Sequence, residues 1–106
     1  MDLRRRQIAL ICDYIKELPK PENHKGRCKK EIIQYEACLN WAAKEILSLV
    51  LADQEINPVR IIEEFIVKMD EFSCVNASSS RLFSACKVLA EDLLEQILYA
   101  MPEEIY

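Results

Sequence analysis

The segment from Lys29 to Leu51, KKEIIQYEACLNWAAKEILSLVL, contains neither glycine nor proline. Apolar residues recur in it at Ile32, Tyr35, Leu39, Ala42, Ile46 and Leu49, three or four apart. That spacing puts them on one face of a helix. Ala43, Leu47 and Val50 widen the face. At ~1.5 Å per residue the helix would be ~35 Å long, enough to cross a small domain and orient everything else in it. Ala42 and Ala43 sit near its middle, where small side chains let another helix approach closely. From Ile46 to Ala52 the segment is apolar nearly all round, which predicts burial within the domain or against a partner.

Two residues interrupt the pattern. Glu36 lies at the edge of the apolar stripe, where it is either a carboxylate reaching water or a basic partner, or a functional group with a perturbed pKa. Trp41 falls on the other side, among Gln34, Lys44, Glu45 and Ser48. It is either covered by a loop or exposed as an anchor, since interface hot spots favour tryptophan.

The rest of the chain divides at its breakers. A first helix is expected over about 2–18, with Asp2 as N-cap and Pro19 as its stop. Ile8, Ile11, Cys12, Ile15 and Leu18 form its buried stripe. Arg4, Arg5 and Arg6 in its first turn oppose the helix dipole, at roughly a few tenths of a kcal/mol each, so a compensating negative group is expected in the fold or on a partner. PKPENHKGR, Pro19 to Arg27, holds the only glycine and reads as a loop. The long helix then covers about 28–51. Asn57-Pro58 is a strong start signal for a third helix over about 58–72, with Asn as N-cap and Pro at the first helical position. Val59, Ile62, Phe65, Ile66, Met69 and Phe72 form its apolar face. SCVNASSS, Ser73 to Ser80, reads as a polar turn. A fourth helix is expected over about 79–101. Two adjoining stripes, Leu82/Cys86/Leu89/Leu93/Ile97 and Phe83/Ala90/Leu94/Leu98/Met101, span about half its circumference, wider than the ~100° a single core contact requires. Either two helices pack on it at once, or it forms a homodimer seam.

With 106 residues, one glycine and four prolines, the chain is expected to be a single all-α domain over 1–106. Four helices joined by short connections predict a four-helix bundle, mostly antiparallel and up-down-up-down. A chain of this size buries roughly two thirds of its unfolded surface, which is enough for a modest core without metal or disulfides. The apolar runs Ile8 to Cys12 and Leu49 to Ala52 are far short of the ~20 residues of a membrane-spanning helix. Five cysteines, an odd number with no C-x-x-C pair, predict a reducing compartment, the cytoplasm, with Cys12 and Cys86 as core residues.

Few residues suggest chemistry. The single histidine excludes the Glu-x-x-His pairs of di-metal bundles. His24, Cys28 and Cys38 are the only ligand types with any clustering, and the solvated-loop reading outweighs a metal site. No catalytic residue, metal or cofactor is expected. Charge is more informative. Residues 1–30 hold nine Lys/Arg against four Asp/Glu, and residues 31–106 hold five against fourteen. Arg4, Arg5, Arg6, Lys25, Arg27, Lys29 and Lys30 make up the basic clusters, which either pair within the fold or attract an acidic partner.

The leading expectation is a small non-enzymatic protein that works through protein–protein contacts as a homodimer. Candidate contact residues are Trp41, Leu94, Leu98 and Met101. One alternative is a nucleic-acid-associated accessory protein using the basic residues, although an acidic chain with a pI near 5.0 is an unusual reader of nucleic acid. Another is a bundle that binds a small ligand near Tyr35, Glu36 and Asn40.

Overall fold

The computed structural model describes residues 3–21, 29–75 and 78–100. Among them are four α-helices and no strand: α1 (Leu3–Glu17), α2 (Lys30–Ala52), α3 (Pro58–Val75) and α4 (Ser80–Ala100). The all-α expectation holds, and the helix packing is that of a four-helix bundle.

The helix ends show which local signals decided. Asn57 Oδ1 accepts the Val59 N–H at 2.9 Å, and its carbonyl accepts from Arg60 and Ile61, so the Asn-Pro start behaves as expected. Lys29 precedes α2 in an extended conformation without a side-chain cap. The expected start at Cys28 lies outside the described residues, as does Asp2. The third helix was expected to stop at Phe72, but it continues through Ser73 and Cys74 to Val75. The Ser73 hydroxyl donates to the Asp70 carbonyl at 2.7 Å, so this serine satisfies itself inside the helix and does not break it. The polar stretch shortens accordingly.

Side-chain contacts give the helix directions. Arg4 at the start of α1 reaches Val50 and Asp53 at the end of α2, so these two run antiparallel. Trp41 packs on Phe65, and Leu49 lies beside Ile61 and Phe65, which makes α2 and α3 antiparallel. Phe72 meets Phe83 at 5.4 Å between ring centroids, and Asp70 binds Lys87, which makes α3 and α4 antiparallel. Cys38 meets Cys86, and Ile32 and Tyr35 lie beside Leu82, so α2 and α4 run parallel. This is the up-down-up-down arrangement.

The packing is not evenly shared. α4 has its most extensive contact with α3 and its next with α2, while α2 and α3 touch each other less. The wide stripe of α4 is thereby explained: Cys86, Leu89, Ala90, Leu93 and Ile97 are buried between two helices. The core is completed by Ile11, Ala42, Ala43, Ile46, Val50, Val59, Ile61, Ile62, Phe65 and Met69. Full burial of Ala42 and Ala43 matches the close approach that their size permits.

The buried face of α2 differs from the expected stripe. Glu36, Asn40, Ala42, Ala43, Ile46 and Val50 are buried, whereas Ile32, Tyr35 and Leu49 are exposed. α1 covers the Asn40 side of the helix and draws the buried face toward it. Ile32 and Tyr35 lie in the first turns of α2, beside Arg81 and Leu82 in the first turn of α4. The last turns of α2 are covered within the chain only in part: Ile46 and Val50 are buried, whereas Leu49, Leu51 and Ala52 are exposed. No described helix is long and apolar enough to cross a membrane.

Candidate interaction surface

The arginines at the chain's start do different things. Arg4 donates to the carbonyls of Ile56 at 2.7 Å and Asp53 at 2.6 Å, and also to that of Val50. A helix leaves its last four carbonyls without partners, and Val50 is one of them in α2. The cationic group that strains the start of α1 is therefore placed at the negative end of an antiparallel neighbour. A helix C-terminus and its following turn serve as one compensating group for Arg4. Arg4 is thus a structural clamp, although the sequence made it a candidate for partner binding. Arg5 is exposed and Arg6 half-buried.

Lys29 and Lys30 are exposed at the beginning of α2. Because α1 and α2 are antiparallel, these lysines and Arg4–Arg6 lie at opposite ends of the pair, some ~22 Å apart along a 15-residue helix. They do not form one basic patch. Lys25 and Arg27 lie outside the described residues, as does Met101.

The ligand-site candidates also separate. Tyr35 is exposed and lines a shallow groove of about 400 Å³ with Ile32, Arg81 and Leu82. Asn40 is buried and serves the fold: its Nδ2 donates to Pro19 O at 2.7 Å and Glu36 O at 2.8 Å, while its Oδ1 accepts from Lys20 Nζ at 3.1 Å. Lys20 also donates to Ile15 O at 2.7 Å and so closes the end of α1. Asn40 thus pins the chain where it leaves α1. Glu36 is buried in the same region, so of the readings given to it only the carboxylate reaching into water is set aside.

Two further groups are buried: Gln7, which no apolar pattern signalled, and Cys86, which was expected in the core. Gln7 is 1% exposed, and its Nε2 finds no hydrogen-bond partner among the described residues. Cys86 is fully buried, with its Sγ 3.1 Å from Cys38 Sγ. These two positions are 48 residues apart, a pairing no local spacing could signal. Burial, followed by the hydrogen bond and charge of Cys38, pushes the Cys86 thiol up to about 12. Cys12, read as core, is half-buried.

Two further polar contacts join helices at the surface. Tyr14 donates to Asp92 Oδ2 at 2.8 Å, and burial, reinforced by this contact, raises its phenol above the ordinary range. Lys87 donates to Asp70 at 3.0 Å, which raises its ammonium pKa. Such exposed pairs contribute little to stability.

Trp41 is 48% exposed. One side of its ring packs on Phe65 of α3, with centroids 6.3 Å apart. It sits on the seam between α2 and α3, where contact between the helices is limited. Leu49, 37% exposed, borders the same seam with Phe65 and Lys68. Phe72, two turns beyond Phe65, is 39% exposed. Leu94 and Leu98, by contrast, are half-buried and pack against the core. They serve the bundle before they can serve a partner.

Among the described residues no group of three His, Cys, Asp or Glu side chains is placed to hold a metal ion. His24 and Cys28 lie outside them. No protein-family model, curated protein or solved structure matches this chain.

Proposed function

We propose that the chain acts through protein–protein contact as a homodimer in a reducing compartment, the cytoplasm, and carries out no catalysis of its own. The observation that supports this most is the half-exposed Trp41 on the α2–α3 seam, which the exposed Leu49 also borders. Tryptophan held against a second ring loses little side-chain freedom on binding, which favours it as an interface anchor. Charges beside the seam carry both signs, with Lys44 and Lys68 against Glu64 and Asp53. A two-fold partner would meet that mixture without an excess of either sign.

Trp41 is the only tryptophan, so its emission reports this surface alone. Dilution of the protein should shift the emission to the red over the same concentration range in which native mass spectrometry shows dimer giving way to monomer. Trp41→Ala and Leu49→Asp should each give a monomer with unchanged helicity by circular dichroism. A chain that is monomeric at every concentration, or a dimer indifferent to both substitutions, would refute the reading.

A further inference from the structure

Cys38 lies on α2 and Cys86 on α4, both as free thiols. Their sulfurs are 3.1 Å apart, and each also faces main chain of the other helix: Cys86 Sγ is 3.7 Å from Cys38 O, and Cys38 Sγ is 3.8 Å from Leu82 O. A disulfide bond is ~2.05 Å long, so about 1 Å of approach joins the two. The pair differs in access. Cys38 is half-buried and can be reached from solvent, whereas Cys86 is completely enclosed. Cys74 is exposed and Cys12 half-buried, and neither has another described thiol against it.

We infer that Cys38 and Cys86 form a redox-active dithiol, which a low-molecular-weight disulfide converts into a covalent link between α2 and α4. Cys38, as thiolate, attacks one sulfur of the small disulfide. One small thiolate leaves, and a mixed disulfide remains on Cys38. Cys86 gives up its proton to solvent and attacks Cys38 Sγ, and the second small thiolate leaves. Two protein thiols are oxidised, and the small disulfide is reduced to two thiols. Cys38 is the entry point because only it is accessible, and Cys86 is the resolving group because it already touches Cys38. Burial keeps the Cys86 proton in place at neutral pH, so the second step should be slow there and accelerate as pH rises. The link lies next to the groove of Ile32, Tyr35 and Leu82, and it would fix the separation of the groove's two walls.

The full chain is treated with oxidised glutathione under native conditions, alkylated and digested with trypsin. The expected product is one linked species joining the peptide from Glu31 to Lys44 with the peptide from Leu82 to Lys87. The intact mass remains that of a single chain that has lost two hydrogens. Two of the five thiols are lost to titration, and dithiothreitol restores them. The cross-link closes a long loop in the unfolded chain, so melting should rise by about 10 °C or more. Cys86→Ala should stop at the mixed disulfide on Cys38, and Cys38→Ala should leave Cys86 unmodified. A mixed disulfide persisting on Cys38 of the parent at pH 8 to 9 would overturn the inference. So would a link to Cys12, Cys28 or Cys74, or a Cys38–Cys86 link that forms only in denaturant. Dimer formation plays no part in these readouts, so failure here leaves the proposed function standing, and the reverse also holds.

Discussion

Replacing Arg4 by methionine preserves most of the aliphatic stem and removes only the guanidinium. The parent side chain donates to three carbonyls at the end of α2 and in the turn beyond it: Val50, Asp53 and Ile56. A hydrogen bond from a charged donor contributes ~1.5–3 kcal/mol, and a cation at a helix C-terminus adds ~0.3–1 kcal/mol. The Asp53 contact is exposed and the other two are part-buried, so water recovers much of the loss. A net destabilisation of ~2–3 kcal/mol remains, equivalent to a fall in melting temperature of ~10–20 °C for a domain this size. Urea unfolding followed by circular dichroism would measure it. Arg4→Lys should recover part of the loss, because one ammonium cannot reach three acceptors in a fork. Arg5→Met, at an exposed neighbour, should stay within ~0.5 kcal/mol of the parent. If Arg4→Met matched Arg5→Met, the clamp would have no energetic substance, and Arg4 would return to the candidates for partner binding.

Gln7→Met should stabilise the domain by ~1 kcal/mol, because it keeps the volume and removes a buried donor with no partner among the described residues; a loss of 1 kcal/mol or more by urea titration would show that the amide is satisfied after all. The Cys86 thiol should make stability fall at high pH. Its folded pKa of about 12 exceeds its ordinary 9.0, so the folded state holds the proton more tightly. That contribution is complete below pH 9 and is lost between pH 9 and 12, at up to ~1.4 kcal/mol per pH unit. Urea titrations at pH 8 and 10.5 should show a smaller decline for Cys86→Ala than for the parent, and equal declines would contradict the sign.

Helix number, type and direction were legible because breakers and periodicity agreed along the chain. Asn57-Pro58 fixed one boundary, and Pro19 bounded another. The errors have a common origin in tertiary geometry. Ser73 looks like a turn residue until its hydroxyl is seen bonded to the Asp70 carbonyl. The α2 stripe was assigned by apolar side chains alone, yet the face that α1 covers carries Glu36 and Asn40. Arg4 looked like a residue awaiting an acidic partner, because a helix end is an electrostatic group that sequence composition does not count. The two stripes of α4 were read correctly, and the choice between two helices and a dimer seam turned on where α2 and α3 lie. The Trp41 alternatives were resolved only in part, since the ring is packed on one side and open on the other.

The position of α4 matters during synthesis. A ribosome delivers the chain from its N-terminus, and α4 is the last of the four helices to appear. Until Ser80–Ala100 has left the exit tunnel, α2 and α3 lack the helix with which each has its most extensive contact, and the apolar faces turned toward it stay open to water. That exposure ends only when α4 docks.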